Sequence, residues 1–171
     1  MVITRKYLKH LTGSAFLLLL MMLHASQAGA QEMPPRPVSG GFVQNMAFGA
    51  FAPGVSGGTV SLTPQGMRYS TGSIILVDFG YLYYPAIIEL SGNPGTILHL
   101  VNGPDATLTG SNGGYLTMTI GQSLPGDPII LNADPPAVNQ VRIGGTLTVG
   151  SIGANPAGFY TGSFSVMVVQ E

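Results

Sequence analysis

The sequence predicts an all-β domain, an immunoglobulin-like antiparallel β-sandwich. Three observations predict it. Apolar residues alternate with polar or small ones in several runs, such as Tyr115-Leu116-Thr117-Met118-Thr119-Ile120 and Val141-Arg142-Ile143-Gly144-Gly145-Thr146-Leu147-Thr148-Val149. A period of two belongs to a strand with one buried face. Turn signals separate the runs at roughly 8–12 residues, the spacing of a sandwich or barrel. Past residue 30 no stretch keeps a helical period, and the chain's 25 Gly and 13 Pro recur too often for a long helix.

The first thirty residues are read apart from the fold. Arg5, Lys6 and Lys9 precede an apolar core from Leu11 to Leu23, and Ala28-Gly29-Ala30 is a small-x-small site before Gln31. This succession predicts a cleaved secretory signal peptide over 1–30. The apolar stretch is shorter than the ~20 residues of a membrane span, so no span is expected in the mature form. The expected location is the periplasm, the outer cell surface or the medium. Removing the signal leaves three basic residues (Arg36, Arg68, Arg142) against seven acidic ones, a net charge of −4 without a lysine. Nucleic-acid binding needs a basic footprint, and this chain has none. With no cysteine, stability must come from packing alone.

Residues 31–41, with Pro34, Pro35 and Pro37, read as a Pro/Gly-rich leader outside the sheets. The sandwich is expected over 42–171. Phe42 to Phe51 is its first candidate strand, Gly57 to Thr63 a turn and short strand, and Tyr69 to Val77 the next. Pro85–Leu90 and Thr96–Val101 flank the turn-rich Ser91-Gly92-Asn93-Pro94-Gly95 and are expected to form a hairpin. Asp105–Thr109 and Tyr115–Ile120 follow. Ile129–Asn132, bracketed by prolines, is expected at a sheet edge. The two closing runs, Val141–Val149 and Tyr160–Val168, are expected to pair as core strands, with Tyr160, Phe164, Val166 and Val168 inward. Phe164→Ala would then cost ~3–5 kcal/mol.

One phrase recurs: Gly57-Gly58-Thr59-Val60-Ser61-Leu62, Gly113-Gly114-Tyr115-Leu116-Thr117-Met118 and Gly144-Gly145-Thr146-Leu147-Thr148-Val149. Turn grammar explains it: glycine supplies positive φ, and the hydroxyl positions face water. A repeated ligand surface is the functional alternative. The unequal spacing rules out a solenoid.

Chemistry is thinly supplied. The only histidine after residue 30 is His99. It is out of phase with Leu98 and Leu100, so it is expected to face solvent. There is no Gly-x-Ser-x-Gly elbow, no EF-hand spacing among Asp105, Asp127 and Asp134, and Asp78 and Glu89 form a carboxylate pair only by elimination. No catalytic residue, metal ligand or cofactor is assigned, and the expectation is a non-enzyme. The one candidate contact surface is Tyr81, Tyr83 and Tyr84. Three tyrosines near one turn can stack sugars or anchor a protein; the alternative is an aromatic lid on the sandwich.

Met46-Ala47-Phe48-Gly49, then Gly57 to Pro64 with Gly66 and Gly72, and the closing Ile143–Val149 with Gly158–Val168 together resemble the bacterial family called domain of unknown function 4402. The pattern is also similar to spore-coat-U and archaic chaperone–usher pilin domains. That resemblance implies a fimbrial-like, structural or adhesive protein whose partners are other pilus-like subunits or a periplasmic chaperone, joined by donor-strand exchange. Here the segment before Met46 is short and proline-rich and the usual pilin disulfide is missing, so a self-complete monomer is the expectation. The rival function is a stand-alone module that binds glycan or protein through the tyrosines.

Overall fold

The computed structural model describes residues 36–171, so the expected signal peptide and the start of the leader lie outside the described residues. Every regular element described is a strand, and all paired strands are antiparallel. None of the described residues forms a helix long and apolar enough to cross a membrane.

The strands are β1 (Ser39–Gln44), β2 (Ala47–Phe48), β3 (Phe51–Leu62), β4 (Arg68–Leu76), β5 (Tyr83–Tyr84), β6 (Ala86–Ser91), β7 (Ile97–Asn102), β8 (Ala106–Gly110), β9 (Tyr115–Leu124), β10 (Ile129–Ile130), β11 (Asn139–Val149), β12 (Tyr160–Thr161) and β13 (Val166–Gln170). An eight-stranded sheet runs β1-β6-β11-β9-β8-β12, with β3 on β11 and β4 on β3. A second sheet has the order β10-β7-β13, and β2 and β5 form a two-stranded ribbon.

β11 is the axis of the large sheet. One edge pairs with β9 from Arg142 to Thr148; the other is shared by β6 along Asn139–Ile143 and β3 along Gly145–Val149. Its alternation survives intact, with Val141, Ile143, Leu147 and Val149 all at 3% exposure or less. Leu116, Met118 and Ile120 of β9 and Val60 and Leu62 of β3 extend the same apolar face. Leu98 of β7, Ile129 of β10 and Leu131 join them in one cluster, so two antiparallel sheets enclose one core, as a β-sandwich does.

Several expected pairings do not form. The Ser91–Gly95 turn makes no hairpin: β6 pairs with β1 and β11, whereas β7 pairs with β10 and β13. The turn instead carries the chain between sheets. The closing run is also split. β12 pairs with β8 in the large sheet and β13 with β7 in the small one, and neither pairs with β11. Phe42–Phe51 is divided among β1, β2 and β3, and β1 begins inside the expected leader: Ser39 to Gly41 pair with Ser91 to Glu89. The leader's last residues contain no proline, so their N–H groups are free to join the ladder. Ile129–Ile130 does sit on an edge.

Candidate functional site

The three tyrosines lie between β4 and β6. Tyr81 is 52% exposed, Tyr83 45% and Tyr84 36%. They do not make one aromatic face, because Tyr83 and Tyr84 are successive residues of β5 and project to opposite sides. Tyr81 stands edge-on to Phe159, with ring centroids 6.0 Å apart. Tyr83 lies under the Arg68 guanidinium, 4.3 Å from its ring centre.

Arg68 organises this end of the molecule, and nothing in the local sequence singles it out. Its Nη1 donates to the carbonyls of Phe48 (2.8 Å) and Ala50 (3.1 Å), and its Nη2 to Val77 (3.4 Å). One planar fork thereby ties the β2–β3 link to the end of β4. Gly49, at φ +69°, is held beneath it, where a Cβ would run into the guanidinium.

The segment that Arg68 fixes forms one wall of a cleft of about 1010 Å³. The floor is the inner face of the large sheet, including Leu108, Leu116, Met118 and Leu147; Phe159 and Tyr81 stand at its rim. Among the described residues its lining has no charged side chain. Asn155, only 5% exposed, has both ends engaged: Oδ1 accepts from Gly150 N at 2.6 Å and Nδ2 donates to the Tyr115 carbonyl at 2.9 Å. The cleft therefore offers apolar contact with few free polar groups.

A second hollow of about 610 Å³ lies between β1 and β13, with Ile88, Leu90 and Leu98 in its walls. Among the described residues β1 pairs only with β6 and β13 only with β7, so each has one unpaired edge. Phe42 borders both hollows and packs edge-on against Phe164, ring centroids 5.3 Å apart. Tyr160, Phe164, Val166 and Val168 have the inward phase expected of them but are only half-buried. β12 and β13 each have a strand neighbour on one side only, and Phe164 lies between them.

His99 does project outward from β7, but it is not alone. Its Nδ1 lies 3.0 Å from Asp127 Oδ2, and Asp127 Oδ1 accepts from Leu100 N at 3.0 Å. The hydrogen bond and charge of Asp127 raise the imidazole pKa; the bonds from His99 and Leu100 lower that of the carboxyl. Sequence reasoning missed this pair because 28 residues separate its members. Both side chains are more than 40% exposed, and no described group of three or more His, Cys, Asp or Glu could hold a metal. Asp78 and Glu89 serve local ends: Asp78 caps its own turn at Gly80 N, and Glu89 accepts from Gln140 across the β6–β11 pair.

The architecture places the chain among small all-β sandwich domains that carry an uncharged cleft and an open sheet edge. Over residues 41–169 it matches the family described as domain of unknown function (DUF4402), and it belongs to that family. No curated protein and no solved structure matches it.

Proposed function

We propose that this is an exported, non-enzymatic structural or adhesive protein, used like a pilus subunit, that accepts a β-strand from another polypeptide. The observation that carries the reading is the unpaired edge of β13 beside the apolar hollow facing β1. An exposed edge presents a row of unused N–H and C=O groups, and strand addition satisfies them while alternate side chains fill the hollow. Leu98, Val166 and Val168 are placed to receive those side chains. The donor comes from another subunit or a periplasmic chaperone, since the chain's own Ser39–Gln44 is already paired with β6. The non-enzymatic part rests on the exposed and isolated His99–Asp127 pair.

Light scattering tests this. The purified chain alone is expected to be a monomer, and a synthetic ten-residue peptide of alternating Val and Thr is expected to bind and raise its Tm. Val168→Arg, which places a charge in the hollow, should abolish the gain. No gain with wild type, or an equal gain with Val168→Arg, refutes strand acceptance.

A second reading has its own observation. Tyr81, Tyr83 and Tyr84 are all substantially exposed and Tyr81 stands at the cleft mouth, which suits a stand-alone module contacting glycan or protein. Loss of cell-surface attachment on Tyr81→Ala, with peptide binding unchanged, would favour it.

A further inference from the structure

The recurring glycine-led phrases of the sequence come together in space. β3, β11 and β9 are neighbours, and β8 flanks β9. Each carries a hydroxyl-x-hydroxyl triplet: Thr59-Val60-Ser61, Thr146-Leu147-Thr148, Thr117-Met118-Thr119 and Thr107-Leu108-Thr109. The middle residues point into the sandwich and the flanking hydroxyls to the outer face, as the pleat requires.

Register turns these triplets into rows. Thr107 pairs with Thr117, Thr117 with Thr148, Thr148 with Thr59, and Thr59 with Thr71. Five threonines thus cross five strands in one unbroken line, roughly 19 Å long at the ~4.8 Å strand spacing. A second row runs Thr119, Thr146, Ser61 and Tyr69, about 6.7 Å from the first; within it Ser61 is covered by its neighbours, at 7% exposure. Hydroxyls within the array already fix one another: Thr59 Oγ1 is 2.7 Å from Thr71 Oγ1, and Ser61 Oγ is 2.9 Å from Thr146 Oγ1. Neither row contains a charge. Asp105 lies two residues before Thr107, and Arg142 four residues before Thr146. Two exposed rings border the array: Tyr69 ends the second row at 53% exposure, and Tyr115, opposite Thr109, is 69% exposed.

We infer that this outer face binds an extended, uncharged polysaccharide chain laid across the strands. The chemistry selects the occupant. Polyanions need cations that the rows lack, and a protein interface needs an apolar centre that hydroxyls do not supply. A neutral polymer of hydroxyls exchanges its bonds to water for bonds to groups that both donate and accept, and the two tyrosine rings can stack on the C–H faces of sugars. Antiparallel strands twist by roughly 20–25° each, so five of them present a turning surface. A single polymer chain follows such a surface; the flat plane of an ice crystal does not. The rows lie on the side of the large sheet away from the core, so this inference does not rest on strand addition at β13.

The test is affinity electrophoresis of the full chain through gels containing hydroxyethylcellulose, a soluble neutral β-glucan, beside gels containing polygalacturonate. Retardation by the neutral polymer and at least tenfold weaker retardation by the acidic one are expected. Thr117→Val with Thr148→Val removes two adjacent exposed hydroxyls while keeping shape and strand propensity, and should weaken the neutral interaction about tenfold at unchanged Tm. Tyr115→Ala, at a fully separate exposed position, should weaken it several-fold, and serves if the double variant fails to fold. Tyr81→Ala should change nothing. No retardation of wild type, equal retardation of the threonine and tyrosine variants, loss on Tyr81→Ala instead, or thermal hysteresis revealing ice recognition would each overturn the inference.

Discussion

Phe164→Ala, set beside Leu147→Ala, asks directly how far the closing run is enclosed. Leu147 is 2% exposed in the C-terminal half of β11, with β9 on one side and β3 on the other. No relaxation of a strand held on both edges can close the gap its truncation leaves, so the cost should be about 3–4 kcal/mol, inside the Leu→Ala range. Phe164 is larger, and a fully buried Phe→Ala costs ~3–5 kcal/mol. Here the ring is half-buried, and its edge-on partner Phe42 is itself 42% exposed. Roughly half of that cost, packing against Phe42 included, is about 1.5–2.5 kcal/mol. Urea unfolding followed by circular dichroism measures both. With m near 2 kcal/mol/M, the midpoint should fall by about 1.5–2 M for Leu147→Ala and about 1 M for Phe164→Ala. A Phe164→Ala cost equal to or above that of Leu147→Ala would show that Phe164 is fully enclosed and refute this reasoning.

Arg68→Met removes three bonds to carbonyls and the contact over Tyr83; it should cost about 2–3 kcal/mol by thermal unfolding, with Arg68→Lys restoring less than half because a point charge cannot span the three oxygens. Gly72→Ala should cost at least about 2 kcal/mol, since Gly72 sits at φ +67° and a Cβ there would run into the Gly57 carbonyl; an unchanged Tm would contradict the β3–β4 register. The His99–Asp127 pair should contribute within an acid window: the raised imidazole pKa gives stability that is present below about 6.5 and lost as pH rises through its folded value, and the lowered carboxyl pKa gives stability present above about 3.8 and lost as pH falls through its folded value. Wild type should therefore exceed His99→Ala in Tm most between those two values, and a difference that peaks near pH 8 would refute the pairing. Mass spectrometry of exported protein should find Gln31 as the first residue; retention of 1–30 would refute the signal-peptide reading.

The strands were legible wherever burial is one-sided. Leu116, Met118 and Ile120, or Val141, Ile143, Leu147 and Val149, announce their faces because a pleated strand alternates sides whatever it pairs with. The candidate site was legible only in part. The exposure of Tyr81, Tyr83 and Tyr84 fits a segment between Gly80 and Pro85, but neither Phe159 beside Tyr81 nor Arg68 over Tyr83 is near in sequence. His99 was correctly placed outward by phase, yet its partner Asp127 lies in a loop beyond two further strands.

The amino-acid sequence by itself determined the strand class, the inward and outward faces, the scarcity of charge and the family. Each follows from local chemistry: side-chain period, turn residues and composition. Only the tertiary structure decided which strands are neighbours. Ser91–Gly95 carries hairpin chemistry, yet it joins two sheets, because both edges of β6 are taken by β1 and β11. The closing run divides between sheets, and that division leaves β13 with a free edge. The same long-range pairing puts Thr107, Thr117, Thr148, Thr59 and Thr71 into one row. Pairing is a contest among distant segments for the same buried faces, and no window of local sequence contains its outcome.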